Sequence, residues 1–435
     1  MAISGRFVLL VALGAVPVVV LGQAYDLAGV VLGWWLVLCV LLGILDLCLA
    51  GSPRRVSVER ALPMRVRLGE TVEAELYLTN SGRRTLRGVI RDAWQPSAGA
   101  ATTRFGMSIP RGERRMVSVE LRPFRRGERR VEQLSIRSFG PLGLWARQAS
   151  LIAPGRIRVL PPFVSRKHLP SRLARLRELD GRASVMIRGQ GTEFDSLREY
   201  VRGDDVRSID WRATARRDEV MVRTWRPERD RRIVIVIDTG RTSAARIDNE
   251  PRLDTAFEAT LLLSALASAA GDRVDVLAYD RRTRARVQGA TGPALLSAIV
   301  DALAPVEPEL LEMDWSSIPA QVRQITNQRA LVVLLTSIET PGSSHGLLAA
   351  LPQLTQRHTV LVASVTDPST FAAVTVRDDR TSTYIAAAAE RALLDTARVS
   401  AAVRQLGAEV VTGAPADLPP AVADAYLALK AAGRL

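Results

Sequence analysis

The sequence predicts a multidomain membrane protein with two transmembrane helices, an immunoglobulin-like β-sandwich and a doubly wound α/β domain. Three patterns predict it: two apolar runs near the N-terminus, alternating apolar and polar residues in the middle, and apolar strand patterns separated by helical ones towards the C-terminus. We expect a transmembrane hairpin at 7–50, the β-sandwich at 54–163, a basic connector with a charged motif at 164–228, and the α/β domain at 229–435.

Composition excludes several classes of protein. The chain has 435 residues, 47% hydrophobic and 24% charged, which is typical of a folded protein with more than one core. The net charge is +14, yet only Lys167 and Lys430 are lysines, and neither follows a glycine as a phosphate-binding P-loop requires. The positive charge is spread over several segments, and no nucleic-acid-recognition motif accompanies it. Nucleic-acid binding is therefore not predicted.

The N-terminal region has the pattern of a membrane anchor. Residues 7–21 and 27–45 are two apolar runs, of which the second is long enough to cross the hydrocarbon core. Arg6 precedes the first run, and Arg54 and Arg55 follow the second. Because basic residues favour the cytoplasmic side, we expect a two-pass protein of the plasma (inner) membrane with most of the chain in the cytoplasm. A cleaved signal peptide is the alternative, although no convincing cleavage site follows the first run.

The middle of the chain alternates apolar and polar residues in the manner of half-buried strands. Turn signals such as Asn80-Ser81-Gly82 and Pro110-Arg111-Gly112 separate these runs, which favours an antiparallel sandwich. Residues 122–130 are strongly basic. They are interpreted as a solvated hairpin, with contact to anionic lipid or to an acidic partner as the alternative.

A densely charged stretch follows the connector and is the most distinctive part of the sequence. Leu197, Tyr200 and Val201 fall on one helical face, so we predict a helix capped by Asp195 and ended by Gly203. Charges three or four residues apart predict a belt of ion pairs that clamps this stretch onto the next domain. The aromatic anchors of that belt are Phe194, Tyr200 and Trp211.

The same stretch contains clustered carboxylates. Asp204 or Asp205 is predicted to cap a second helix that runs through Ala215. Together with Asp210 these residues also offer a site for acid–base chemistry or for a metal ion, although the arginines between them favour neutralisation. A catalytic role for the three aspartates is therefore the less favoured interpretation.

The charged stretch resembles the hallmark of a bacterial family called domain of unknown function fifty-eight. The matching residues are Phe194, Asp195, Arg198, Glu199, Tyr200, Gly203, Asp204, Asp205, Arg207, Asp210, Trp211, Arg212 and Arg216. Residues 126–127 and 139–144 resemble the family's other signature. The resemblance implies a membrane-anchored protein with a von Willebrand factor A-like domain. It also implies a MoxR-type AAA+ ATPase encoded nearby and no established enzymatic activity.

The resemblance also implies where a divalent cation would bind in a von Willebrand factor A-like domain. The candidate ligands are Asp238, Thr242, Asp314 and Glu339. Gly240 supplies no oxygen where the family pattern has a serine, and Ser337 stands in place of a carboxylate. We therefore expect no required cofactor, with Mg²⁺ as the alternative.

These observations predict a non-enzymatic, membrane-anchored adaptor that works with a MoxR-type ATPase in assembling or remodelling envelope-associated complexes. The partner is expected to dock near Asp238, Thr242 and Asp314, outside the carboxyl ends of the strands. One alternative is a receptor that binds its ligand through a divalent cation. Another is an enzyme that acts on envelope components through the aspartate cluster of the charged stretch.

Overall fold

The structure is a computed structural model of the chain and describes residues 2–25, 27–186, 193–202, 204–217, 219–226, 231–248 and 250–435. The chain folds into two compact units, Met1–Leu160 and Pro161–Leu435. Each unit has its own hydrophobic core.

The first unit consists of apolar helices followed by a β-rich domain. Its helices and strands are β1 (Ala2–Ile3), α1 (Gly5–Leu13), α2 (Ala15–Tyr25), α3 (Ala28–Leu49), β2 (Val56–Ala61), β3 (Arg65–Arg67), β4 (Val72–Asn80), β5 (Leu86–Asp92), β6 (Arg104–Ile109), β7 (Arg114–Leu121), β8 (Gly127–Phe139) and β9 (Trp145–Leu160).

The apolar runs fold as an antiparallel helical hairpin. Among the described residues, Ala28–Arg55 contains the one helix that is long and apolar enough to cross a membrane. The first run is divided into α1 and α2 at Gly14, where a Cβ atom would overlap the indole ring of Trp35. The same indole donates a hydrogen bond to the carbonyl oxygen of Leu10 at 3.2 Å. The first predicted span is therefore two short helices packed along α3, and a double membrane crossing stays a prediction.

Two sheets form the β-domain and share one core. One sheet has the order β2-β4-β7, and the other has the order β1-β9-β8-β5-β6, with β3 parallel to β9. The alternation seen in the sequence places Leu76 and Leu78 of one sheet and Ile90, Leu134 and Ile136 of the other in this core without exposure to solvent. An immunoglobulin-like topology remains the finer expectation.

A buried ion pair links the two sheets. The guanidinium of Arg60 on β2 donates to both carboxylate oxygens of Asp92 on β5, at 2.6 and 2.9 Å. Its Nε donates to the carbonyl oxygen of Ala153 on β9 at 2.8 Å. Both side chains are buried, and two hydrogen bonds join them. Removal of either side chain would therefore leave the other as an unpaired charge in the core.

The carboxylate of Asp46 connects α3 to the β-domain. Asp46 lies in the last turn of α3 and is fully buried. Its two oxygens accept hydrogen bonds from the backbone amides of Leu142 (2.7 Å), Leu144 (2.7 Å) and Trp145 (3.1 Å). Gly140 leaves room for this contact, because a Cβ atom there would overlap Asp46. We call this set of contacts the Asp46 joint.

The N-terminus joins the same place from the other side. Strand β1 pairs antiparallel with the start of β9, and the Ser4 hydroxyl donates to the carbonyl oxygen of Gly143 at 2.6 Å. The ring of Phe7 packs against the ring of Trp145 with centroids 5.5 Å apart. The start of α1 and the end of α3 therefore lie at one end of the first unit.

The basic segment 122–130 lies far from the Asp46 joint. It includes the start of β8 at Gly127, whereas β8 ends at Phe139, next to Gly140 of the joint. At about 3.3 Å per residue, the two ends of β8 are roughly 40 Å apart. Within the segment, Arg130 is paired with Glu128, and Arg129 donates to the carbonyl oxygen of Arg126. Arg126 and Arg129 are buried, and the segment leads from β7 of one sheet to β8 of the other, so the predicted solvated hairpin is wrong. The lipid contact considered for this segment is not adopted.

The second unit is an α/β domain with a short additional sheet. Its helices and strands are α4 (Leu169–Met186), β10 (Glu193–Glu199), α5 (Trp211–Arg217), β11 (Met221–Arg226), β12 (Arg232–Asp238), β13 (Arg246–Ile247), β14 (Glu250–Pro251), α6 (Arg252–Ala269), β15 (Arg273–Tyr279), β16 (Thr283–Val287), α7 (Gly292–Leu303), α8 (Ile318–Ile325), β17 (Ala330–Leu335), α9 (His345–Thr355), β18 (Thr359–Val365), α10 (Pro368–Thr375), α11 (Arg380–Gln405), β19 (Glu409–Gly413) and α12 (Leu418–Ala431).

The large sheet of this unit has the order β16-β15-β12-β17-β18-β19. All of its neighbouring strands are parallel except β16, which is antiparallel to β15. Alternate residues of β12 belong to two different core clusters: Ile233 and Ile235 to one, and Val234 and Val236 to the other. Both faces of the sheet are thus covered, which explains why its central strands read as continuous apolar runs.

The segment predicted as a basic connector belongs to the second unit. Leu176 of α4 is buried in the same core cluster as Phe257 of α6. Val164 and Ser165 precede α4. Their amides donate hydrogen bonds to the buried carboxylate of Glu258, at 3.0 and 2.9 Å. These contacts fix the entry of the chain into the α/β domain.

We predict that replacing Asp46 opens the joint locally. Asp46→Ala removes the acceptor of three amides, and each charge-assisted hydrogen bond contributes about 1.5–3 kcal/mol. An effect of about 3 kcal/mol corresponds to roughly 100-fold faster exchange of the amide hydrogens of Leu142, Leu144 and Trp145. Hydrogen–deuterium exchange of the full chain in detergent measures this.

Asp46→Asn keeps one carbonyl acceptor and should give a smaller increase in exchange. Glu120→Ala, at an exposed acidic residue of the same unit, is the matched control and should leave these amides unchanged. Unchanged exchange in Asp46→Ala would show that the joint does not depend on the carboxylate.

Candidate functional site

The charged stretch folds as a strand pair with a short helix, which we call the motif module (193–226). Strand β10 pairs antiparallel with β11, with Leu197 opposite Arg223. The amide of Tyr200 extends the pairing by donating to the carbonyl oxygen of Val220 at 2.8 Å. The predicted helix with Leu197, Tyr200 and Val201 on one face, capped by Asp195, is therefore wrong.

The physical reason is that the backbone of this stretch pairs with residues more than twenty positions further along the chain. Local spacing fits a helix, but β11 supplies a complete ladder of backbone partners and two buried side chains, Met221 and Val222. Only the backbone of Phe194 and Asp195 is described, as part of β10, and Gly203 lies outside the described residues.

The aspartates of the motif module each hold its backbone in place. Asp204 accepts from the Arg198 guanidinium at 2.6 Å and from the amide of Val201 at 2.9 Å. Asp205 accepts from the amide of Arg207 at 3.0 Å and caps a single 3₁₀ turn, Val206–Ser208, rather than the predicted second helix.

Asp210 caps the short helix instead. Its Oδ1 accepts from the amides of Arg212 and Ala213, both at 3.0 Å, and its Oδ2 accepts from Arg223 at 2.8 Å. The Ala213 amide and the Arg223 guanidinium lower the pKa of the Asp210 carboxyl. The three aspartates are thus structural acceptors, and the ion pairs of the module join β10 to the following turn and α5 to β11.

The motif module leaves large apolar side chains in solvent. Trp211 is 69% exposed, Val206 64% and Val201 61%. Tyr200, predicted with Trp211 as an aromatic anchor, is also exposed, and the buried side chains of the module are those of Met221 and Val222. The exposed arginines of the motif are Arg207, Arg212 and Arg216. Exposed apolar groups concentrated in a short, internally satisfied module are typical of a protein-binding surface.

The carboxyl edge of the large sheet contains the predicted cation ligand Asp238. This residue ends β12 and is only 3% exposed. Its carboxylate accepts from the Thr336 hydroxyl at 2.7 Å, from the amide of Gly240 at 2.8 Å and from the Thr242 hydroxyl at 3.5 Å. Burial raises the pKa of Asp238 despite these three hydrogen bonds.

The other two predicted ligands are bound elsewhere. Asp314 accepts from the hydroxyls of Ser316 and Ser317 and begins a 3₁₀ turn. Glu339 forms an ion pair with Arg252, whose guanidinium also donates to the Ser337 hydroxyl. Within the described part of the chain, no group of three or more His, Cys, Asp or Glu side chains is placed to hold a metal ion.

A loop that precedes Asp314 covers this edge of the sheet. The amide of Arg241 donates to the carbonyl oxygen of Leu311 at 2.8 Å, and the amide of Glu309 donates to that of Thr239 at 2.9 Å. The side chain of Arg241 pairs with Glu312 of the loop at 2.6 Å. The structure thus places Thr242 against Asp238 and closes the edge with its own backbone.

The sequence analysis did not single out Asp280. This aspartate directly follows β15, and Asp238 is the last residue of the neighbouring strand β12. Its fully buried carboxylate accepts from the amides of Arg281 and Arg282 and from the Arg284 guanidinium. Burial alone would raise the pKa of Asp280, but these hydrogen bonds outweigh burial and lower it. The signal was present in the sequence as an aspartate directly after an apolar strand.

The geometry therefore defines a class of protein: an α/β domain whose carboxyl edge is closed by one of its own loops and which carries an exposed apolar motif module. Residues 196–403 match a known family described as "Protein of unknown function DUF58", so a DUF58 domain is detected over this range.

Curated relatives include "Uncharacterized protein Rv1480" of Mycobacterium tuberculosis and "Uncharacterized protein Mb1516" of Mycobacterium bovis. Each is 26% identical over 185 residues, which is 42% of this chain and 57% of the relative. The chain thus spans little more than half the length of these relatives.

Solved structures give weak similarities. The CARDB domain of the PF1109 protein from Pyrococcus furiosus is 16% identical, over 24% of this chain and 86% of that chain, with a TM-score of 0.19. The Escherichia coli alpha-2-macroglobulin fragment from domain MG7 to the C-terminus is 15% identical, over 24% of this chain and 16% of that chain, with a TM-score of 0.21. Scores this low carry no argument about the fold.

We predict that Asp238 makes stability depend on pH in the direction opposite to Asp314. The pKa of Asp238 is raised, so its favourable contribution is complete below the unfolded value of about 3.8 and is lost as pH rises through the folded pKa. The unfolding midpoint of wild type minus that of Asp238→Asn should therefore fall between pH 4 and pH 8, as measured by thermal unfolding of the full chain in detergent.

Asp314→Asn is the matched control. Hydrogen bonds from Ser316 and Ser317 lower the pKa of Asp314, so its contribution is present above about 3.8 and is lost as pH falls through the lower folded value. The corresponding difference should rise between about pH 2 and about pH 5 and stay level from there to about pH 8. If both variants gave the same trend, burial of Asp238 would not control its titration.

Proposed function

We propose that this protein is a non-enzymatic, membrane-anchored adaptor that presents its motif module to a MoxR-type AAA+ ATPase during assembly or remodelling of envelope-associated complexes. The observation that carries the proposal is the exposed apolar surface of the module around Trp211 and Val206. The carboxylates beneath this surface are occupied by caps and ion pairs, which favours binding of a partner over chemistry.

The proposed anchor crosses the plasma membrane twice, with both domains in the cytoplasm. Helix α3 has 22 residues and rises about 33 Å, which matches the hydrocarbon thickness. Helices α1 and α2 are together of similar length and run back along α3. Arg6, Arg54 and Arg55 lie at the same end of this hairpin, which supports a cytoplasmic location for that end.

The proposed fold of the second unit is von Willebrand factor A-like. A central parallel sheet with one antiparallel edge strand and helices on both faces supports this assignment, together with the family resemblance. In such a domain, the position of a cation would be near Asp238. Here that carboxylate is buried and bound by Thr336, so the proposed docking surface is the motif module rather than the edge near Asp238.

The ATPase is proposed because remodelling needs an energy source, and this chain does not resemble a P-loop ATPase. Neither lysine of the sequence stands in a P-loop pattern, and the family resemblance implies a MoxR-type ATPase as the usual neighbour. The module offers this partner the exposed apolar side chain of Trp211 and three exposed arginines of the same segment, Arg207, Arg212 and Arg216. Tryptophan and arginine are the residues most often found at binding hot spots.

Photo-crosslinking of the tagged full chain in native membranes tests the proposal. A photoreactive residue at Val206 should capture an AAA+ ATPase, which mass spectrometry identifies. Trp211→Ala should weaken copurification of the ATPase by about 30-fold, because a hot-spot tryptophan contributes 2 kcal/mol or more.

The matched control uses an exposed aromatic residue outside the module. Phe371 of α10 is 53% exposed, so a photoreactive residue there and the variant Phe371→Ala should leave capture and copurification unchanged. Capture of only envelope or secretion proteins at Val206, with no ATPase, would contradict the proposed partner. Equal loss in both variants would contradict the proposed surface.

A further inference from the structure

Six arginines surround the end of α3 in the first unit. We call them the arginine collar: Arg6, Arg54, Arg55, Arg83, Arg84 and Arg147. Arg147 is half-buried and the other five are exposed. They come from four separate parts of the chain, so this cluster is visible only in the folded unit.

Two arginines of the collar are fixed by the end of the helix itself. Arg147 on β9 donates from Nε to the carbonyl oxygen of Leu47 at 2.9 Å, and Arg84 donates from Nη1 to the carbonyl oxygen of Cys48. The last carbonyls of a helix have no partner within the helix, and these guanidiniums satisfy two of them. Their charges are therefore held where the apolar helix ends.

The other four arginines are placed there by the turn after α3, by the contact of that turn with Ser81 and by the position of the Arg6 guanidinium beside Gly143. Arg54 and Arg55 lie in the 3₁₀ turn that directly follows α3. The amide and the hydroxyl of Ser81 both donate to the carbonyl oxygen of Arg55, at 3.0 and 2.7 Å, which brings the turn containing Arg83 to the collar. Arg6 lies beside Gly143 of the Asp46 joint, where a Cβ atom would be 3.0 Å from its Nη1.

The described part of the chain contains no ion-pair partner for the collar. Among the described residues, no carboxylate lies within 4.0 Å of a charged nitrogen of any of the six arginines. Asp46 is close in the fold, but its two oxygens face the amides of the joint. Six positive charges therefore stand around one end of an apolar helix, with no ion-pair partner among the residues that the structure describes.

We propose that the arginine collar binds the anionic phospholipid headgroups of the leaflet in which α3 ends. The inference rests on the proposed membrane anchor and adds the class of lipid that the anchor selects. Guanidinium groups bind phosphate oxygens through paired, charge-assisted hydrogen bonds. At the level where an apolar helix leaves the hydrocarbon, the groups within reach are lipid headgroups.

The experiment reconstitutes the full chain into vesicles that contain equal amounts of phosphatidylglycerol and phosphatidylcholine. Mild detergent extraction followed by native mass spectrometry measures the ratio of the two lipids that stay bound. Each arginine near an anionic surface contributes about a fivefold preference for the anionic lipid over the neutral one. The wild type should retain at least about tenfold more phosphatidylglycerol, and the variant R54Q/R55Q/R83Q, which keeps both helix-bound arginines, should lose most of this preference.

The control variant R67Q/R122Q/R125Q removes the same charge from the end of the β-domain far from the joint. It should keep the wild-type ratio. Equal ratios in the wild type and the collar variant, or the same loss in both variants, would overturn the proposal.

Carbonate extraction of the same vesicles separates the proposed lipid preference from the anchor on which it depends. A chain that resists carbonate but shows no preference for phosphatidylglycerol would refute the collar alone. A wild-type chain released by carbonate would refute the anchor and, with it, the collar.

Discussion

The carboxylate of Asp46 is the contact on which the arrangement of the first unit depends. A charge in the last turn of an apolar helix is costly to bury, and here three backbone amides offset that cost. The same contact fixes the start of β9, against which β1 pairs, so both ends of the helical hairpin meet the β-domain at one place. The joint thus attaches the apolar helix rigidly to the β-domain of the same unit.

Carboxylates bound by backbone amides recur in the second unit. Glu258 fixes the entry of the chain, Asp210 begins α5, and Asp238 joins neighbouring strands through Gly240 and Thr336. In each case the oxygen atoms that could bind a cation or a substrate are already occupied. These acidic residues therefore stabilise the backbone of the fold. The proposed binding surface consists of apolar and basic groups instead.

The central strands of the second unit could be predicted because they are buried on both faces. The run 232–237 reads as a strand without any knowledge of its neighbours, and β12 extends it by only one residue, to Asp238. The motif module could not be predicted in the same way, because β10 depends on pairing with β11 and its spacing also fits a helix. The role of Asp46 was hidden for a similar reason: its first partner, Leu142, lies 96 residues further along the chain.

The near-exclusive use of arginine has a chemical consequence for the contacts described above. Guanidinium groups as a class stay protonated across the physiological pH range, whereas lysine side chains are targets of covalent modification. Acetylation and ubiquitination of lysine side chains have only two targets, Lys167 and Lys430. The ammonium of Lys430 lies 3.2 Å from the carboxylate of Asp272. Enzymes that regulate proteins through lysine therefore find almost nothing to modify on this chain.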